Sequence, residues 1–246
     1  MSWLTKWFSK ESLPDFDFSI FGADMHSHLI PGIDDGSANM EATVEMLRKF
    51  QELGYKKIIT TPHIKTGVFN NTTEIIRSGE KIVLDEIDRL GLDLKFEAAA
   101  EYFFDYSFIE RIEKEDLLTF SNGHLLLEYS FSQPPMGENE MFFSLQMKQI
   151  RPILAHFERY PYYHGSVKKA VELREKGVKI QLNILSLFGH YGPQVQKQAE
   201  LLIKEKQVDL IGSDCHRIEH LNLMAHNAKH PLLHKIMDLK LINSEL

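Results

Sequence analysis

Asp24-Met25-His26-Ser27-His28-Leu29-Ile30-Pro31-Gly32-Ile33-Asp34-Asp35-Gly36 is the stretch on which the reading of this chain turns. A short apolar run, Phe18 to Ala23, precedes it and reads as the first strand of a core. Residues two apart on a strand point to the same face, so His26 and His28 present two imidazoles side by side at a strand end. Neutral imidazole is a common ligand for borderline divalent metals. The Pro31-Gly32 and Asp34-Asp35-Gly36 turns bring one or two carboxylates back over the same spot. Alone, a His-x-His pair beside a polar turn fits half-exposed surface residues as well as it fits a metal site. The rest of the chain separates the two.

Outward from that stretch the chain alternates. Strand patterns cover Phe21–His26, Lys57–His63, Leu94–Glu101, His124–Tyr129, Pro152–His156, Lys179–Asn183 and Val208–Asp214. Helical patterns lie between them at Asn39–Leu53, Thr72–Leu90, Glu138–Gln149, Val167–Lys176 and Pro193–Lys206, three of them stopping at Gly54, Gly91 and Gly177. Nearly continuous apolar runs are what parallel strands buried on both faces require. The alternation predicts an α/β fold, a closed or nearly closed β/α barrel. The loop Thr66–Asn71 has the composition of a mobile flap.

The strand ends carry the chemistry. They read His26 and His28, Thr61-Pro62-His63, Ala100-Glu101, Leu127-Glu128, Ala155-His156, Asn183, and Ser213-Asp214-Cys215-His216. In a parallel barrel the C-terminal ends of all strands open on one rim, where active sites sit. Any one strand-end His or Glu is most simply a solvated rim residue. Six of seven strands ending in a potential ligand is hard to reach by chance. Nine candidates result: His26, His28, Asp35, His63, Glu101, Glu128, His156, Asp214 and His216. The donors are nitrogen and oxygen without thiolate, which favours manganese, iron, zinc or cobalt at a working site over a structural zinc. Nine are too many for one open ion and suit two or three sharing a bridging carboxylate. Clustered ions favour metal-assisted hydrolysis, most plausibly of a phosphate ester.

Composition narrows the class further. At 246 residues the chain is long enough for one large domain, and a formal net charge of -7 argues against a nucleic-acid partner held by bulk charge. One cysteine excludes an internal disulfide and fits a reducing, cytoplasmic setting. No apolar run approaches the roughly 20 residues that span a bilayer. Residues 1–17 read as an amphipathic extension and linker ahead of a barrel domain at 18–246. Wound as a helix, residues 3–10 put Trp3, Leu4, Trp7 and Phe8 on one face. Packing on the barrel is the first expectation for that face, and peripheral contact at the inner face of the membrane the second.

The motifs resemble the polymerase-and-histidinol-phosphatase (PHP) superfamily. Within it the chain is most similar to the manganese-dependent bacterial protein tyrosine phosphatases of capsule and exopolysaccharide loci. The matching pieces are Asp24-x-His26-x-His28, Asp34-Asp35-Gly36-Ser37, Thr61-Pro62-His63, Ala100-Glu101-Tyr102, Glu128-Tyr129-Ser130, His156-Phe157-Glu158-Arg159-Tyr160 and Ser213-Asp214-Cys215-His216. The resemblance implies a distorted seven-stranded TIM-like barrel with a trinuclear site at the C-terminal rim, manganese first among the ions. By analogy one ion takes His26, His28, Glu101 and Asp214. A second shares Glu101 and takes Glu128 and His156. A third takes Asp35, with Asp34 as a substitute, together with His63 and His216.

The same resemblance places Arg159 on the substrate phosphate, since a guanidinium fork matches phosphate oxygens, with His63 and Asp214 as catalytic neighbours. The alternative for Arg159 is an ion pair with Glu158 or another neighbour. Leu221 stands where the family carries a further arginine, so Arg217 or His220 becomes its candidate replacement. Lys65 is all that remains of a basic segment after His63. Cysteine phosphatases need an arginine six residues after the nucleophile; Leu221 fills that place after Cys215, which disfavours a thiolate mechanism. Cys215 alternates with Asp214 and His216 and is expected to point into the wall. The implied function is hydrolysis of phosphotyrosine on the tail of a bacterial tyrosine kinase of capsule or exopolysaccharide synthesis. The alternatives are a small-molecule phosphatase, such as a histidinol-phosphate phosphatase, and a non-enzymatic metal-bound docking module.

Overall fold

Strands of this chain alternate with helices, and every strand pairing among the described residues is parallel. The computed structural model describes residues 13–246, so the helix expected over residues 3–10 lies outside the described residues. The strands are β1 (Ala23–Asp24), β2 (Lys57–Thr60), β3 (His63–Ile64), β4 (Lys95–Ala98), β5 (Glu101–Phe103), β6 (His124–Glu128), β7 (Arg151–Leu154), β8 (Lys179–Asn183) and β9 (Leu210–Gly212). They form a three-stranded sheet, β1-β2-β4, and a curled six-stranded sheet, β3-β5-β6-β7-β8-β9. All five residues of β6 and all three of β9 are buried, which is why Leu125–Leu127 and Leu210–Gly212 carry no polar side chain.

Two expected strands are each split. Lys57–His63 divides into β2 and β3 around Thr61-Pro62, because proline has no N–H for a ladder. The interruption is shared with the neighbour: Leu94–Glu101 divides into β4 and β5 at Ala99-Ala100, opposite the same gap. Hydrogen bonds still cross it, Ala99 N donating to Thr60 O at 2.8 Å and Glu101 N to Pro62 O at 3.1 Å. The expected first strand, Phe21–His26, starts instead as a 3-10 turn, Phe18–Phe21, capped by Asp17 accepting from Ser19 N at 3.0 Å. Past β1 the chain meets the end of β9 through a parallel bridge between Ser27 and Cys215.

The helices are α1 (Met40–Glu52), α2 (Thr73–Leu90), α3 (Tyr106–Lys114), α4 (Glu138–Met147), α5 (Lys168–Glu175), α6 (Pro193–Lys204), α7 (Ile218–His226) and α8 (Pro231–Ile236). Those expected from the sequence carry its signals: Asn39 caps α1 by accepting from Ala42 N at 2.9 Å, and Gly91 ends α2 at φ 61. α3, α7 and α8 were not expected. α3 ends on Glu115 at φ 58, where a glycine would have been visible, and α8 has only six residues.

Phe16, within the segment read as linker, is buried and donates its N–H to Ala228 O at 2.8 Å, so the packed body takes in this residue. The segment after β3, expected as a flap, is folded as a closed turn: Lys65 and Phe69 exchange backbone hydrogen bonds at 2.9 and 2.8 Å. Asn71 Nδ2 ties it down by donating to His63 O at 2.8 Å and Ile33 O at 3.0 Å. No helix among the described residues is long and apolar enough to cross a membrane.

Candidate metal centre

The strand ends bring His26, His28, Glu101, Glu128, His156 and Asp214 together as buried polar side chains at one rim. Asp35, His63 and His216 stand at its edge. A cleft of about 230 Å³ opens there, lined also by Lys65, Phe69, Phe131 and Arg159. His156 (φ 31) and Asp214 (φ 51) adopt left-handed backbone conformations, costly for residues other than glycine. Such strain at a strand end turns the side chain into the cleft and is found where a site over-determines it.

Four atoms meet at the centre. His26 Nε2 lies 3.3 Å from Glu101 Oε2 and 3.4 Å from Asp214 Oδ1; His28 Nε2 lies 3.6 and 3.5 Å from the same two oxygens. Donors about 2.1 Å from a tetrahedral ion stand about 3.4 Å apart. His26 Nε2, His28 Nε2 and Glu101 Oε2 are buried and have no hydrogen-bond partner. Nitrogen and oxygen donors, unsatisfied and at the spacing of ligand atoms, fit a divalent cation. Beside them, Asp35 Oδ1 lies 3.5 Å from His63 Nε2 and 3.4 Å from His216 Nε2. His63 Nδ1 faces Glu101 Oε2 at 3.0 Å, and His156 Nε2 lies 3.0 Å from Glu101 Oε1 and 3.9 Å from Glu128 Oε1. Among the described residues four overlapping groups could each hold an ion: His28, Asp35, His63 and His216; His26, His28 and Asp214; His26, Glu101 and His156; His63, Glu101 and Glu128.

Without an ion, His26 and His63 carry positive charge against the surrounding carboxylates. Burial would lower the pKa of His26, but Glu101 and Asp214 raise it to about 9. Burial likewise opposes His63, which Glu101 lifts to about 10. Burial pushes Glu101 up, yet His26 and His63 hold it well below the usual carboxylate range. A cation in the same place displaces those protons, because ligating imidazole must be neutral.

The ring orientations come from partners outside the cluster. Asp34, kept ionised near pKa 2 against its burial by His28, accepts from His28 Nδ1 at 2.7 Å and from His63 N at 3.0 Å. That leaves the His28 Nε2 lone pair facing the centre, the arrangement in which an outer carboxylate raises ligand basicity. Gln181 Oε1 accepts from His26 Nδ1 at 3.2 Å and from His156 N at 2.7 Å. Its amide donates to Asn183 Oδ1 at 2.8 Å, and Asn183 Nδ2 donates to Asp214 Oδ2 at 2.8 Å. Gly212 is required behind this chain, since a Cβ there would lie 2.7 Å from Gln181 Nε2 and 2.8 Å from His26 Cβ.

Arg159 is held rather than free. Its Nη1 donates to Asp214 Oδ2 at 2.9 Å, and its guanidinium lies over the Phe131 ring at 4.8 Å and the Tyr191 ring at 4.4 Å. The expected alternative partner, Glu158, instead accepts from Asn183 N at 3.0 Å. Burial pushes Glu158 up to about 7. Lys65 reaches the cleft with Nζ 4.0 Å above the Phe103 ring. Arg217 is exposed and does not line the cleft. Nor does His220, whose Nδ1 accepts from His216 N at 3.3 Å behind the site.

A family model described as "Capsular polysaccharide synthesis, CpsB/CapC" matches residues 22–237. The chain belongs to the CpsB/CapC family. It is 26% identical over 210 residues to tyrosine-protein phosphatase YwqE of Bacillus subtilis (strain 168), covering 85% of this chain and 83% of that protein. Tyrosine-protein phosphatase CpsB of Streptococcus pneumoniae is 25% identical over 202 residues, 80% of this chain and 83% of its own. Among solved structures, one reported with YwqE and CpsB as "unique metal-dependent tyrosine phosphatases" superposes with a TM-score of 0.77 at 24% identity, over 88% of this chain and 91% of that one. Histidinol phosphate phosphatase from Lactococcus lactis, complexed with zinc, L-histidinol and phosphate, has a TM-score of 0.56 at 14% identity over 89% and 95% of the two chains. At such identities both likenesses speak to the fold.

In this CpsB/CapC chain, sequence reasoning missed the roles of Asp34, Gln181, Phe131 and Tyr191. Gln181 had a signal: it alternates with Ile180 and Leu182 on β8, and a polar side chain inside a buried strand needs partners. Phe131 and Tyr191 lie on irregular segments with no pattern to mark them. Cys215 is fully buried, with Sγ 3.6 Å from Met46 Sδ, and burial raises its thiol well above the usual range. Cys215→Ser is therefore expected to leave turnover within about twofold while costing about 1 kcal/mol of stability for a buried hydroxyl. Initial rates and a melting curve check it; loss of turnover with retained metal would reinstate the thiol.

Proposed function

We propose that this CpsB/CapC chain is a metal-dependent protein tyrosine phosphatase acting on the phosphotyrosine tail of a bacterial tyrosine kinase of capsule or exopolysaccharide synthesis. The observation that carries the reading is the set of unsatisfied donor atoms beside an aromatic-clamped arginine in one cleft. Its curated relatives are named tyrosine-protein phosphatases. Two or three divalent ions, manganese first, belong to His26, His28, Asp35, His63, Glu101, Glu128, His156, Asp214 and His216. When bound, such ions withdraw charge from a phosphoryl group and lower the pKa of a water at neutral pH. Reading β2 with β3 and β4 with β5 as single staves gives a seven-stranded TIM-like barrel, and the Ser27–Cys215 bridge supports its closure.

The chain's own residues do the positioning. Arg159 has donors left over beyond the one engaged by Asp214, and the Phe131 and Tyr191 rings fix its plane toward the phosphate oxygens. Lys65 adds a point charge at the edge. Phenolate is a stable leaving group, so protonation of the leaving oxygen contributes little for this substrate class. An open mouth suits a phosphotyrosyl chain better than free histidinol phosphate, which needs an enclosing pocket. Asp35 at that mouth is 58% exposed at its side chain, and Phe131 is 38% exposed.

The reading is tested by metal analysis with a substrate panel. Activity on a phosphotyrosyl peptide, lost on chelation and restored by manganese, is expected to exceed that on histidinol phosphate. The reverse preference, or activity that survives chelation, overturns it. Arg159→Ala is expected to lower kcat/KM roughly hundredfold, mainly through KM, because truncating a buried charged partner costs several kcal/mol. Metal content measured on the same sample stays unchanged. A loss confined to kcat would remove Arg159 from phosphate binding.

A further inference from the structure

The cleft is not the largest hollow at this rim. A groove of about 730 Å³ runs beside it, lined by Phe103, Phe104, Tyr106, Ile109, Pro134 and Met136 among others. Met136 is 90% exposed and Tyr106 78% exposed, although both are large and apolar. Large apolar side chains concentrated on one stretch of surface mark an interaction site.

Groove and cleft share their walls. Phe103 follows the cleft residue Glu101 by two positions on β5, so the two side chains share a face about 7 Å apart. The Lys65 ammonium, which lines the cleft, rests on the Phe103 ring at 4.0 Å. The loop after β6 serves both: Phe131 faces the cleft, while Ser130, Pro134, Pro135 and Met136 line the groove. That loop is anchored by Tyr162 Oη donating to Ser130 O at 2.7 Å and by Tyr129 Oη donating to Glu138 Oε2 at 3.1 Å. An extended chain advances about 3.4 Å per residue, so a residue two or three positions from a phosphotyrosine in the cleft reaches the groove.

We infer that the groove between Phe103, Tyr106 and Met136 binds apolar residues flanking the phosphotyrosine of a substrate chain. This rests on the phosphatase reading given above. The groove thereby supplies sequence preference that the cleft, whose apolar lining is only Phe69 and Phe131, does not. Remote contacts of this kind add to kcat/KM for the extended substrate and leave a small ester, which never reaches the groove, as the reference.

The test uses the metal-loaded protein and three substrates: a short peptide with leucines on both sides of a phosphotyrosine, the same peptide with serines there, and phenyl phosphate. The parent is expected to favour the leucine peptide over the serine peptide by roughly tenfold in kcat/KM, about 1.4 kcal/mol. Met136→Glu and Tyr106→Ala each bring that ratio toward one, measured against phenyl phosphate. Anisotropy of a labelled leucine peptide carrying a non-hydrolysable phosphonate follows binding separately, and its affinity falls in parallel. The inference is overturned if the parent shows no preference or if both variants keep it. A dimer that Met136→Glu dissociates, with the peptide ratio unchanged, would give the groove to a second copy instead. If the parent hydrolyses none of the three, the phosphatase reading fails, while the anisotropy measurement still judges the groove.

Discussion

Replacing Asp214 by alanine is expected to end turnover and to strip ions from the cleft at the same time. Asp214 Oδ1 lies 3.4 Å from His26 Nε2, 3.5 Å from His28 Nε2 and 3.4 Å from His216 Nδ1. Its other oxygen accepts from Arg159 Nη1 at 2.9 Å and from Asn183 Nδ2 at 2.8 Å. One carboxylate thus stands between the proposed ion site and the proposed phosphate-binding arginine. Changes in outer partners of metal ligands cost 10–100-fold, so losing this inner group should cost roughly a thousandfold or more in kcat/KM. Metal content after dialysis, by mass spectrometry, should fall by at least one ion per chain. If Asp214→Ala keeps its metals and raises only KM, Asp214 serves Arg159 alone and the ion assignment is wrong.

The second large effect lies in a turn. Gly36→Ala is expected to lower the melting temperature and to damage the site without touching any donor atom. A Cβ at Gly36 would lie 2.3 Å from His28 Cβ and 2.3 Å from His28 O. The turn cannot retreat freely, because Ser37 N donates to that same carbonyl at 2.9 Å and Gly36 N donates to Asp34 Oδ1 at 3.0 Å. Moving it pulls Asp34 away from the His28 ring it orients. Overpacking costs about 1–3 kcal/mol, which for a chain of this size is a drop of roughly 3–10 °C. Weakened metal binding should accompany it. A melting temperature and metal affinity both equal to the parent's would show that the turn has room that the close approach denies.

Much of the architecture could be read from the chain because parallel topology converts a linear pattern into a place. Apolar runs separated by amphipathic helices admit few arrangements other than a parallel sheet, whose strand ends share one rim. A residue type repeated at strand ends therefore says where in space it lies. That is why His26, His28, His63, Glu101, Glu128, His156 and Asp214 could be named together before any contact was visible. Helices closed by glycine were legible for a local reason, since Gly91 sits where a left-handed cap is needed. α3 was not legible, because Glu115 takes that conformation without looking like a stop.

What only the tertiary structure decided is which atoms meet. Asp34 and Asp35 are adjacent and chemically identical, yet Asp34 turns inward to hold His28 Nδ1 and Asp35 faces His63 and His216 at the mouth. Arg159 pairs with Asp214, distant in sequence, rather than with its neighbour Glu158. Gln181 is linked to Asp214 through Asn183, and the groove around Met136 exists only because β5 and the loop after β6 lie side by side. Periodicity along a strand fixes a face and a rim to within a residue or so. Ligand geometry and hydrogen bonding depend on distances of a few tenths of an ångström, and those are set by how non-adjacent segments pack.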